Sequence, residues 1–125
     1  MHELGIVFHI ISSLEQVGAQ NHLRSISTVT LEIGEVSSVI NSYLEDCWRW
    51  AADRSELLRG AALRIETIPA VTLCEGCGKT YGTVEHGKTC PYCAGINTHL
   101  LTGNEVNIKE IEAVSYTHLR AHETS

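Results

Sequence analysis

Four of the five cysteines fall in two Cys-x2-Cys pairs, Cys74–Cys77 and Cys90–Cys93, with twelve residues between the pairs. Two intervening residues let a tight turn aim both sulfurs of a pair at one metal ion, and four thiolates close a tetrahedral shell around Zn²⁺ with no position left for water. The surrounding stretch is rich in glycine (Gly76, Gly78, Gly82, Gly87, Gly95 and Gly103) and too short to bury a core of its own. A structural zinc supplies the missing stability, on the order of 10–16 kcal/mol in comparable peptides. Residues 70–103 are thus expected to form a zinc-ribbon module held by Cys74, Cys77, Cys90 and Cys93. The spacing also admits iron, and four unrelated thiols or two redox dithiols are the competing readings. His86 and His99 flank the ligands and are expected as exposed loop histidines. Cys47 is expected to be a small buried hydrophobe.

Charge divides the chain in the same way. Residues 70–103 balance Lys79 and Lys88 against Glu75 and Glu85, whereas the chain as a whole carries 9 Lys+Arg against 15 Asp+Glu, a net charge of −6. An acidic chain without a basic stripe repels phosphate, which argues against nucleic-acid binding. No apolar run approaches the ~20 residues of a membrane span. Met1-His2-Glu3-Leu4 lacks the basic start of a signal peptide, so a cytoplasmic location is expected, where cysteines serve metals or remain thiols.

The flanks of the module read as a small α+β domain. Leu4, Val7, Ile11 and Leu14 recur at helical spacing, which predicts a first helix over about 4–20, ended by Gly18 and Gln20-Asn21. Val29, Leu31 and Ile33 alternate with Thr28, Thr30 and Glu32, a half-buried strand closed by Gly34. Ser42-Tyr43-Leu44-Glu45 has the spacing of a capping box, ahead of a second helix with Leu44, Cys47, Trp48 and Ala51 inward. A strand with Leu63 and Ile65 inward follows Gly60. A last strand uses Val106 and Ile108, with a break at Glu110-Ile111. Two helices packed on a three-stranded sheet is the economical arrangement.

The N-terminus offers a candidate second metal site, the competing reading of His2 being an ordinary mobile terminal residue. The terminal amine and the imidazole of His2 can chelate one ion, joined by an intervening amide once the metal displaces its proton. Such nitrogen donors suit Ni²⁺ or Cu²⁺.

Several short segments, in this order, are similar to the HypA/HybF family of nickel chaperones: Met1-His2-Glu3-Leu4, Glu32-Ile33-Gly34-Glu35-Val36-Ser37, the two Cys-x2-Cys pairs, Gly103-Asn104-Glu105-Val106-Asn107-Ile108, and Ile111-Glu112. The resemblance runs to about residue 113. It implies a nickel-binding α+β domain over 1–69 and 104–113, with the ribbon inserted at 70–103. It implies nickel bound by His2, with terminal or backbone nitrogens of Met1 and Glu3 beside it. It also implies two partners, a nickel-binding GTPase and the precursor of the [NiFe]-hydrogenase large subunit, with urease a further client in some members. An acidic residue often precedes the second helix in the family; Ile40 and Asn41 stand there in this chain. Residues 114–125 have no counterpart and are expected to be a non-native tail.

The expected function is a metallochaperone and not an enzyme, since no nucleophile with a base, phosphate loop or cofactor motif is present. The competing class is a zinc-ribbon interaction module of the transcription or translation apparatus, in which His2 has no role.

Overall fold

A computed structural model describes residues 2–116 of the chain, except for the side chain of His2. In chain order its elements are α1 (His2–Gln20), β1 (Leu23–Gly34), α2 (Asn41–Ala52), β2 (Ala62–Ile68), β3 (Val71–Cys74), β4 (Thr80–Gly82), the single turn α3 (Thr83–His86), β5 (Thr98–Thr102) and β6 (Val106–Ser115). They form two three-stranded sheets, ordered β2-β1-β6 and β4-β3-β5. The α+β class and the three-stranded sheet bearing two helices agree with the sequence pattern. By contacts the chain divides into two compact units. One comprises the residues up to Leu31, Val39–Ile65 and Ile108 onward; the other comprises Glu32–Ser38 and Glu66–Asn107.

In the first unit α1 buries Val7, Ile10, Ile11 and Leu14, β1 buries Ile26, Val29 and Leu31, and α2 buries Leu44, Trp48, Ala51 and Ala52. Each large side chain among them contributes about 1.5–3 kcal/mol by leaving water. The Trp48 indole N–H, which would be costly to bury unpaired, donates to the Ala61 carbonyl at 3.0 Å. The two helices run the same way. Near their starts the Ile40 N–H donates to Glu3 Oε2 at 3.0 Å. Further along, Phe8 of α1 and Trp50 near the end of α2 meet edge to face at 6.2 Å. Further on Ser55 donates to Glu15 at 3.0 Å.

Several details differ from the sequence pattern. The capping box does not form: the N-cap residue of α2 is Ile40, with no side-chain cap, and Ser42 lies exposed in the first turn. A carboxylate from elsewhere, that of Glu3, stands at this end of α2, where the helix dipole favours negative charge. Gly18 does not end α1. It is buried within the helix, and a Cβ there would come 2.7 Å from Leu57 Cδ2. The helix ends instead where Asn21 donates back to the Val17 carbonyl and His22 takes a left-handed φ of 54°. Cys47 is half-buried rather than buried. Strand β1 is longer than the alternation suggests, and Thr30 is buried as well as its apolar neighbours. Ile108 is exposed, because β6 is an edge strand whose side chains are only partly covered. Strand β6 continues through Ser115, and the Tyr116 N–H donates to the His22 carbonyl at 2.9 Å. The expected tail therefore begins inside an ordered strand; its residues 117–125 lie outside the described residues.

In the second unit the segment after β1 is fixed by close backbone approach. The Gly34 N–H donates to the Glu105 carbonyl at 2.7 Å, and the Val36 N–H to the Gly103 carbonyl at 2.8 Å. A Cβ on Gly34 would overlap the Gly103 carbonyl, and Gly103 itself has φ of 110°. Glu35 accepts the Ala70 N–H at 2.8 Å, and Glu105 accepts the Gly103 N–H at 2.8 Å. In the β4-β3-β5 sheet both pairings are antiparallel, with Thr72 opposite Tyr81 on one side and Leu100 on the other. Among the described residues no helix is long and apolar enough to cross a membrane.

Candidate metal centre

Two turns of the same design carry the cysteines. In the first, the Cys74 N–H donates to the Lys79 carbonyl at 2.9 Å and the Gly78 N–H to the Cys74 carbonyl at 2.8 Å. In the second, the Cys90 N–H donates to the Gly95 carbonyl and the Ala94 N–H to the Cys90 carbonyl, both at 2.9 Å. The offsets from the first cysteine are identical, so each pair presents its sulfurs the same way. The residue after the second cysteine must be left-handed: Gly78 has φ of 76° and Ala94 of 62°. Glycine suits this; alanine is strained there. Space is tight at Gly95, where a Cβ would sit 3.2 Å from Cys93 Sγ, whereas at Gly76 a Cβ would make an ordinary contact with Cys74 Sγ at 3.6 Å.

The four sulfurs lie within 4.8 Å of one another. Cys74 and Cys93 are 3.5 Å apart, Cys77 and Cys90 3.6 Å. Sulfurs at the usual Zn–S distance in a regular tetrahedron are about 3.8 Å apart, so the donor set fits one zinc ion closely. Cys74 and Cys90 are buried, Cys77 and Cys93 exposed. Around them the core is small: Tyr81 joins the two buried cysteines, its hydroxyl donating to the Gly87 carbonyl at 3.0 Å. So small a core makes the module depend on its metal.

The second turn pushes the thiols of its two cysteines in opposite directions. Burial raises the Cys90 thiol, but the N–H groups of Cys93 and Tyr92 and the sulfurs of Cys77 and Cys74 outweigh it and bring it down to about 7. At Cys93 the Gly95 N–H lowers the thiol. The Cys74 sulfur, burial and the other two sulfurs overcome this and push it up to about 11. A divalent cation is what allows four thiolates to share so small a space.

The flanking histidines are not in this cluster. His86 packs edge-on against Tyr81 at 5.9 Å, and His99 Nδ1 lies 2.7 Å from Glu75 Oε2. Both are exposed, as expected, but neither is in a loop: His86 closes α3 and His99 belongs to β5. At the N-terminus Met1 and the His2 imidazole lie outside the described residues. Glu3 is buried in the first turn of α1 with its carboxylate engaged by Ile40. The pattern of residues gave no sign of this contact, which joins positions 37 apart in sequence. Nor did it signal the structural use of Glu35 and Glu105.

Comparison with known proteins accords with this arrangement. Residues 1–113 match the model of a family described as "Hydrogenase/urease nickel incorporation, metallochaperone, hypA". The hydrogenase maturation factor HypA of Geobacter metallireducens is 34% identical over 112 residues, which is 90% of this chain and 98% of that protein. That of Albidiferax ferrireducens is 31% identical over 112 residues, with the same two shares. The solution structure of the nickel metallochaperone HypA from Helicobacter pylori superposes with a TM-score of 0.71 at 22% identity, covering 90% of this chain and 97% of that one, which speaks to the fold. The chain belongs to the HypA family of nickel-incorporation metallochaperones.

Proposed function

We propose that this chain binds Ni²⁺ through His2, with nitrogens of Met1 and Glu3 beside it, and delivers it for [NiFe]-hydrogenase maturation, with urease a further client. A structural Zn²⁺ is held by Cys74, Cys77, Cys90 and Cys93. The observation that carries the reading is the family match, which starts at Met1 and runs through both cysteine pairs. The four-sulfur geometry supports the division of labour: a closed thiolate shell retains its ion, whereas a short terminal chelate can release one. In this reading residues 1–69 and 104–113 form the nickel-binding domain and 70–103 the zinc module. Residues 114–125 serve neither metal. The chain acts in the cytoplasm on two partners, a nickel-binding GTPase and the precursor of the hydrogenase large subunit. It catalyses no reaction of its own. The test is nickel titration of untagged protein beside His2→Ala. The variant should keep one zinc and its fold while losing stoichiometric nickel binding; unchanged nickel affinity in the variant would place the site elsewhere.

A further inference from the structure

The two cysteine turns share one set of hydrogen-bond offsets, so they differ in what holds each of them in place. The first turn joins the two strands of a hairpin. Cys74 is the last residue of β3, Lys79 directly precedes β4, and Leu73 pairs with Thr80 across the turn. Drawing Cys77 away from the other sulfurs pulls against that pairing. The second turn has no such frame, because residues 87–97 contain no helix or strand. Cys90 is anchored in the small core beside Tyr81 and Cys74, but the chain after it rejoins the sheet only at Thr98. The far end of this stretch is tied where the Glu75 N–H donates to the Asn97 carbonyl at 2.9 Å. Between these anchors Tyr92 and Ile96 are exposed. The Tyr92 ring meets Lys79 Nζ of the first turn at 4.8 Å, a contact that is weak at an exposed site.

Backbone strain acts in the same direction. Ala94 is left-handed at φ of 62°, where the first turn has Gly78. That strain is released when the turn opens, which favours opening by about fourfold once the smaller freedom of alanine in the open chain is subtracted. Cys77 and Cys93 are both exposed, so access alone does not rank them; the frame and the strain do. We propose that the zinc centre opens locally at its second turn, with Cys93 the first ligand to leave. The proposal rests on the reading that the four sulfurs hold one zinc ion. Cys74, Cys77 and Cys90 stay on the metal, the β3–β4 hairpin stays paired, and the ion gains a free coordination position. A thiolate or another soft donor can enter there, so zinc is loaded and exchanged from the Cys93 side.

The test uses the full chain, with its zinc measured first by atomic absorption. Limiting N-ethylmaleimide is then added, and peptide mapping by mass spectrometry gives the initial rate at each cysteine of the cluster. Cys93 should react at least about fourfold faster than Cys77, with Cys74 and Cys90 last. Ala94→Gly should slow Cys93 about fourfold and leave Cys77 unchanged. Gly78→Ala places equal strain in the first turn, and Cys93 should still lead, because the hairpin frames only Cys77. Amide exchange by NMR reads the same opening without a reagent. Corrected for intrinsic rates, the Ala94 N–H should be less protected than the Gly78 N–H, which makes the matching bond in the first turn. In a chain that holds one zinc, equal rates at Cys77 and Cys93, Cys77 leading, or equal protection of the two amides would overturn this proposal alone. A chain that holds no zinc would overturn the zinc reading and this proposal with it.

Discussion

Gly78 and Ala94 hold the same place in the two cysteine turns, and exchanging their residue types isolates a single energetic term. Both are left-handed, at φ of 76° and 62°. A Cβ on Gly78 would meet nothing within 4 Å, so Gly78→Ala introduces conformational strain without a steric clash. A left-handed L-residue is strained by roughly 1–2 kcal/mol relative to its right-handed form. The smaller freedom of alanine in the unfolded chain offsets roughly 0.4–1 kcal/mol of that. The net is about 0.8 kcal/mol in each direction: Gly78→Ala destabilises and Ala94→Gly stabilises. Because metal binding and folding of the ribbon are coupled, the change should be read in zinc affinity, where 0.8 kcal/mol is about fourfold. The assay is competition with a chromophoric chelator at fixed pH. Ala94→Gly should bind zinc about fourfold more tightly, Gly78→Ala about fourfold more weakly, and the double exchange should lie near the starting value. Both single variants shifting the same way, or the double variant departing from their sum by more than about 0.5 kcal/mol, would refute the assignment of the effect to backbone strain.

Gly34→Ala should be severe, because its Cβ would overlap the Gly103 carbonyl and Asn104 amide, which are backbone atoms that cannot rotate away. A loss of several kcal/mol in chemical denaturation is expected, against about 1 kcal/mol for an ordinary substitution. Glu3→Ala removes the carboxylate that receives the Ile40 N–H and should lower stability by roughly 1.5–3 kcal/mol; thermal unfolding of the zinc-loaded protein measures it. Cys90→Ser should abolish zinc retention and open the ribbon, leaving the Trp48 environment, seen in fluorescence, largely intact. Finally, a terminal nickel chelate needs a neutral imidazole and amine, with reference pKa values of about 6.5 and 7.7–8.0. Protonation disfavours binding, so nickel affinity should fall steeply from about pH 7.5 to 6 while zinc stays bound; equilibrium dialysis of both metals checks this.

What could be read from sequence was local and periodic. The helical spacing of Val7, Ile11 and Leu14 and the alternation of Val29, Leu31 and Ile33 identify α1 and β1 because each pattern reports a buried face directly. The cysteine pairs were legible for the same reason, since a turn of fixed length sets the sulfurs. The failures share a cause as well. Ser42–Glu45 has the spacing of a capping box, yet the start of α2 is set by Glu3, a residue far away in sequence. Gly18 looks like a helix terminator, yet its lack of a side chain makes room for Leu57. Each required knowing which distant residue comes close, and no local pattern carries that.

The segments that liken this chain to its family divide accordingly. Gly34 and Gly103 allow two backbone stretches to touch, and Glu35 and Glu105 accept the amides of Ala70 and Gly103 there. These residues lie on either side of the zinc module in sequence, at its entry and exit. Their work is to fix the β1–α2 turn against the chain entering and leaving the ribbon, not to bind an ion. The metal chemistry is left to the four cysteines and, in the proposed function, to the first residues of α1. A change at Gly34 or Glu35 should therefore impair nickel delivery by disturbing the fold, with zinc stoichiometry and denaturation midpoint moving together. A change at His2 should impair delivery with both of those unmoved, and that contrast separates a residue that holds the scaffold from one that holds the cargo.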